Sequence, residues 1–432
     1  MYNRKMKSYL SFFISLSGFL TANSQVETVL DTANVAYRNS VSSYFDEVTL
    51  KGESEIDQIK NRKVRNEFSV NYKEKQDEFR QLIKKGAFIE HAKYSPLIQS
   101  VFEKLKKANP SSNFNDIRLL LAISEEYNAY NYGGGIVVLN LPLLLEMDNE
   151  YELAFVISHE ISHQELNHVY NSIFKRAVES TSKELKKQTE IIQNEKYNKN
   201  KLAENLFKKL IYGNREESRK CEHEADSLGY IYFKNAYPGK EQYAIQTLRK
   251  LKDIDTPSND SLVKKDFLAF FEVNNVKFND EWIASDLGDY SYQKQTRSWD
   301  VDSLRTHPDC DLRIDFLKKG FDIKESTKIA NPKLQKEPVS TYEYVFGLYH
   351  LEEYGKSLYY TLLKLKANSN DIFLRKMLYD NLIKIRNARN TLTLNRFVEV
   401  ETPEFSQDYN QVLCLVRNIR KNELNQIIDF YK

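Results

Sequence analysis

Along most of this chain apolar residues recur with helical spacing, and the pattern changes to short unbroken apolar runs in one region. From Ser95, "SPLIQSVFEKLKKANP" has a serine N-cap with Pro beside it and predicts an amphipathic helix. "DIRLLLAIS" (116–124) then reads as a buried strand. "GGGIVVLNLPLLL" (133–145) opens as another, entered through Gly133 to Gly135, where glycine lets a second backbone come close. Helical spacing returns over "NEYELAFVISHEISHQELNHVY" (149–170). Residues 171–217, dense in Lys, Glu, Asn and Gln, read as solvated helices forming an insertion or lid. A further helix starts near Glu216 and carries "CEHEADSLGYIYF", and "GKEQYAIQTLRKLKDI" follows as an amphipathic one. "ANPKLQKEPVS" (330–340) has two prolines and no period, which marks a linker. Beyond it "YEYVFGLYHLEEYGKSLYYTLLKLKANSND" resembles one helical pair of tetratricopeptide type.

The expected fold is therefore mainly α with a small β-sheet, of the α+β class. A polar helical region at 25–90 precedes a central domain at 91–329, and a helical domain occupies 341–432. A length of 432 residues accommodates two or three such units. Lys plus Arg total 63 against 61 Asp plus Glu, without a basic patch, so nucleic acid is not an expected partner. Three cysteines allow one disulfide at most, leaving stability to the core.

At the N-terminus, Arg4, Lys5 and Lys7 precede the apolar "YLSFFISLSGFL" and the small, polar "TANSQ". That order predicts a signal peptide at 1–24, with Ala22 and Ser24 before the cut and Gln25 after it. The apolar run is shorter than the roughly 20 residues of a spanning helix, and no later stretch approaches that length. The expected product is exported, to a bacterial periplasm, with no transmembrane domain after the signal.

The chemistry concentrates in 151–168. His159, Glu160 and His163 form H-E-x-x-H, which puts both imidazoles one turn apart on one helix face and a carboxylate beside a metal-activated water. A catalytic zinc needs a third protein ligand and an open position. In "SRKCEHEADSLG", Glu222 and Asp226 share a helix face, so that one can bind the metal while the other orients a ligand histidine. His168, nine residues after His159, falls on the opposite face and reads as a surface or cap residue, and Glu224 and His223 as structural or rim residues. A second arrangement takes the third ligand from Glu179 or Glu184. Leu166 and Val169 stand where an extended metzincin motif needs Gly and His, which excludes that subclass.

With "YNAYNYGGGIVVLN", "NEYELAFVISHEISHQELNH", "SRKCEHEAD" and "THPDCDLRIDFL" in this order, the chain resembles the zinc metallopeptidases of the CAAX prenyl protease and HtpX heat-shock type, within their soluble periplasmic BepA-like branch. The resemblance covers roughly residues 90 to 325. It implies a gluzincin-like domain with one zinc per chain, bound by His159, His163 and Glu222 and supported by Asp226. It further implies that His307 stabilises the transition state and that Arg313 holds its loop. The membrane spans of many relatives are absent here, so their membrane-embedded substrates do not transfer.

The function expected is a zinc metalloendopeptidase with Glu160 as general base. Gly135, Ile136 and Val137 would pair with the substrate backbone. Substrates would be proteins or peptides, including misfolded envelope proteins in quality control. The rival is a chaperone-like client-binding module with a closed zinc site. If the elements bearing Cys221 and Cys310 converge on the metal, the two thiols would be neighbours able to bridge, although two separate buried thiols are the commoner outcome.

Overall fold

The structure, a computed structural model, describes residues 30–196, 198–254, 260–273, 275–285, 310–323 and 339–432. The expected signal peptide at 1–24, His307 with its T-H-P element, and the expected linker up to Pro338 lie outside the described residues.

The polar N-terminal region folds as a helical hairpin, α1 (Val35–Asp57) and α2 (Arg62–Lys85). Asn34 caps the first by accepting from the Tyr37 N–H, and Asn61 caps the second through the Lys63 N–H. Their sparse apolar residues are not solvated. Val41, Phe45 and Phe79 pack over one face of the sheet, on Leu120, Tyr132, Ile136 and Val138.

That sheet has four strands, β1 (Phe88–Ile89), β2 (Arg118–Ala122), β3 (Ala129–Gly133) and β4 (Ile136–Asn140), in the order β1-β2-β4-β3. β2 and β4 run parallel, and both outer pairings are antiparallel. Gly133, Gly134 and Gly135 turn the chain between β3 and β4, all with positive φ. A Cβ on Gly135 would lie 2.0 Å from the Asp116 carbonyl oxygen, so the close backbone approach expected there is real and demands glycine.

The opposite face carries α3 (Tyr94–Ala108), α4 (Leu141–Glu146), α5 (Glu150–Glu165), α8 (Lys199–Ala236), α9 (Gln242–Ile254) and α11 (Cys310–Phe321) around one core. α5 starts at Asn149, whose side chain accepts from the N–H groups of Tyr151 and Glu152. Every residue from Glu152 to Ser162 is buried, so α5 is the central helix rather than a surface one. Its serines survive burial by donating to their own helix, Ser158 to the Ala154 carbonyl and Ser162 to that of Ser158.

Two expectations change here. The helical pattern through Tyr170 is broken after Glu165: Asn167 adopts φ 56, and α6 (His168–Thr181) leaves in a new direction, followed by α7 (Lys183–Asn194). The helix placed from Glu216 begins far earlier. α8 has 38 residues, and nothing between Lys199 and Ala236 includes a proline to stop it. The charged stretch at 171–217 is also partly anchored, since Ile173 and Ala177 of α6 pack with Val64 and Phe68 of α2.

The C-terminal unit comprises α12 (Val339–His350), α13 (Tyr354–Ala367), α14 (Ile372–Asn390), α15 (Gln407–Asn418) and α16 (Lys421–Tyr431). Its core is not confined to residues after the linker. Phe267, Phe270 and Phe271 of α10 (Lys264–Phe271), with Val276 and Trp282, pack among Leu358, Leu382, Leu413 and Ile427. Leu262 N–H donates to Asp408, and Tyr431 Oη to the Phe270 carbonyl. Residues 260–285, which precede the expected boundary near 330, thus contribute aromatic side chains to the C-terminal core. His91 Nε2 meets Glu343 Oε1 at 2.9 Å, and Tyr344 donates to the Glu125 carbonyl, which joins the two units. Among the described residues no helix is long and apolar enough to cross a membrane.

Candidate metal centre and active site

The site forms where α5 and α8 touch. Gly229 of α8 makes that approach close: a Cβ there would sit 3.0 Å from both Cα and N of His159. His159 and His163, one turn apart, turn their Nε2 atoms to one point, 3.1 Å from each other. Glu222 completes the group, with Oε2 3.4 Å from His159 Nε2 and Oε1 3.5 Å from His163 Nε2. These are the His, Cys, Asp or Glu side chains that can hold a metal ion together among the described residues. Glu179 and Glu184 join no such group, so the second arrangement finds no support.

Asp226 lies one turn further along α8, fully buried, with Oδ1 3.0 Å from His159 Nδ1. It is therefore placed to orient the His159 ring, while Glu222 is the carboxylate that falls within the group able to hold a metal. Arg313 is expected to hold the T-H-P loop, which lies outside the described residues; among the described ones it meets the acidic pair. Its Nε and Nη2 donate to the two oxygens of Asp226 at 2.8 and 2.7 Å, and Nη1 lies 3.1 Å from Glu222 Oε2. Burial raises the carboxyls of Glu222 and Asp226. The Arg313 guanidinium and the hydrogen bonds to the site together outweigh it, holding Glu222 well below its usual range and Asp226 down at about 2. Burial and Arg313 both lower the His159 imidazole, but hydrogen bonds to Asp226 and Glu222 prevail and raise it to about 10.

Glu160 is buried, and that desolvation raises its carboxyl against the lowering pull of the two histidines. It accepts the Asn131 N–H at 2.8 Å, which ties it to β3. β3 also bears on the expected substrate contacts. Gly135, Ile136 and Val137 enter and form β4, whose two sides are already paired with β2 and β3. β3, like β1, is an edge strand among the described residues, and it is the edge beside the metal group: Asn128, Ala129 and Tyr130 line, with that group, a cavity of about 250 Å³. The short, polar "AYNYG" carries no apolar run by which the sequence would mark it as a strand.

His168 is the other departure. It is 8% exposed rather than on the surface, with Nδ1 2.9 Å from His163 Nδ1 and Nε2 3.2 Å from Glu224 Oε2. The opposite-face expectation assumed one continuous helix, and the break at Asn167 returns the side chain to the site. Asn, tolerant of a left-handed backbone, was the one available hint. His223 stacks on Phe316 away from the group. Cys221 and Cys310 form no disulfide, and both are separate thiols.

A metal-holding trio beside a buried carboxylate and an open strand side is the equipment of a metal-dependent hydrolase acting on peptides. Residues 95–320, more than half of the chain, match the Peptidase family M48 model, and the chain belongs to that family. It is also 37% identical over 79 residues to the Beta-barrel assembly-enhancing protease of Yersinia pestis. That stretch covers 18% of this chain and 16% of the relative's length.

Proposed function

We propose that the protein is a zinc endopeptidase, one metal per chain, held by His159, His163 and Glu222. The observation that carries this reading is the convergence of two Nε2 atoms and a carboxylate, each histidine having its Nδ1 engaged elsewhere. Two imidazoles and one carboxylate with an open fourth position suit catalytic zinc. When bound, zinc lowers the pKa of a water toward about 7 and polarises the scissile carbonyl.

The chain's own residues supply the remainder. An extended peptide adds to the open side of β3, which fixes its carbonyl beside the trio. Glu160, its carboxylate steadied by the Asn131 N–H, takes the proton of the attacking water and later delivers it to the leaving amine. Asp226 fixes the His159 ring, and Arg313 fixes Asp226 and Glu222 together. His307, carried by the T-H-P element of the sequence, is assigned to the developing oxyanion, a role typically worth about 3 kcal/mol.

The likeness to a protease named for assembly of β-barrels, together with the signal-like N-terminus, supports proteolytic quality control in a bacterial envelope, on misfolded proteins. The test is Glu160→Gln in the full chain: zinc content stays at one per chain while casein cleavage falls about 10²- to 10⁴-fold. Unchanged cleavage refutes the mechanism. Client binding that survives a chelator, with no cleavage by the zinc-loaded wild type, favours a chaperone-like module instead.

A further inference from the structure

We propose that His168 and Glu224 form a positioning relay for His163, matching what Asp226 does for His159. The inference rests on the reading above, in which His163 offers Nε2 to a metal. With Nε2 so used, a neutral imidazole carries its hydrogen on Nδ1 and donates there. The acceptor in reach is His168 Nδ1, at 2.9 Å, with the two rings edge-on at 75°. His168 must then keep its own hydrogen on Nε2, where Glu224 Oε2 accepts it at 3.2 Å. The other Glu224 oxygen lies 3.7 Å from Lys220 Nζ, which leaves Oε2 for His168. One tautomer of each ring satisfies the whole chain from Glu224 to the metal position.

The two ligand histidines are therefore held differently. His159 has a fully buried carboxylate clamped by an arginine, whereas His163 has a neutral imidazole backed by a half-exposed carboxylate. The helix break is what makes the second arrangement available. Asn167, with φ 56, ends the run of α5 and starts α6 at His168, bringing its ring back over His163. On an uninterrupted helix residue 168 would face away, so the break and the relay are one feature. Partners that orient metal-ligating histidines typically change metal affinity about 10- to 100-fold when removed.

The experiment measures zinc affinity of the full chain by competition with a chromophoric chelator, and the absorption of the cobalt(II)-substituted protein. His168→Phe fills the space without an acceptor. It should weaken zinc about 10- to 100-fold and alter the cobalt spectrum. His168→Asn, whose Oδ1 can stand where Nδ1 stood, should recover most of that loss, which a filler role for the ring would not produce. Glu224→Ala, at an exposed position, should weaken zinc measurably, by about 10-fold. His168→Phe with wild-type affinity and spectrum overturns the relay, as does His168→Asn no better than His168→Phe. If His168→Phe does not fold, unchanged affinity in Glu224→Ala overturns it. A wild-type chain that binds no zinc sinks the function proposed above instead, so the two failures are distinguishable.

Discussion

Replacing Arg313 by methionine tests how the site tolerates its buried charges. Arg313 is 3% exposed and Asp226 is fully buried, and the guanidinium donates twice to Asp226 while lying 3.1 Å from Glu222. Removing one side of such a buried pair costs about 3 to 5 kcal/mol, because the remaining carboxylates lose their compensation. The pH dependence gives an independent figure. Asp226 is held at about 2 in the folded chain against about 3.9 unfolded, so its stabilising contribution is complete above about 3.9 and is lost as pH falls through 2. That shift corresponds to about 2 to 3 kcal/mol, in reasonable agreement. In Arg313→Met the carboxyl titrates higher, so the deficit should be largest near neutrality and shrink on acidification. Since two cores need not unfold together, local stability of α8 and α11 in zinc-free protein is best read by hydrogen exchange. Added zinc, bringing positive charge to Glu222, should reduce the deficit. A zinc-free deficit under about 1 kcal/mol, or one that grows as pH falls, refutes the reasoning.

Two glycines extend the set. Gly229→Ala puts a Cβ 3.0 Å from the His159 backbone and should part α5 from α8, costing about 1 to 3 kcal/mol and weakening zinc measurably; an unchanged melting temperature and zinc affinity would contradict this. Gly135→Ala meets the Asp116 carbonyl at 2.0 Å with φ +88 and should cost at least about 2 kcal/mol. Because β4 has no open side, that variant should lose thermal stability with KM for peptides unchanged, and a raised KM at full stability would restore a binding role for this turn.

The residues that sequence reasoning brought together share short-range spacing. His159 with His163, and Glu222 with Asp226, are each one helical turn apart, so the convergence of each pair needs only a local helix. What lay beyond reach depends on contacts distant in sequence or on one backbone angle. β3 becomes the open edge only because β4 pairs parallel to β2 across an intervening crossover. His168 changes side because Asn167 adopts a left-handed backbone, which periodicity does not register. Arg313 and Asp226, 87 residues apart, meet through the packing of α11 on α8. The α+β class was legible because its apolar runs are few and its helical pattern long.

The path of the chain through its two cores also sets an order of assembly. After Ile254 it leaves the peptidase core, lends Leu262 to Trp282 to the C-terminal helices, and comes back as α11 with Arg313. The backbone of this borrowed segment is bonded by partners 146 and 161 residues later, Asp408 accepting from the Leu262 N–H and Tyr431 donating to the Phe270 carbonyl. During synthesis Phe267, Phe270, Phe271 and Trp282 emerge long before α15 and α16 exist to cover them. A chain ending at residue 329 leaves them bare permanently. Contacts so far apart close slowly, so the segment between the candidate site's α8 and α11 settles only once α15 and α16 are in place.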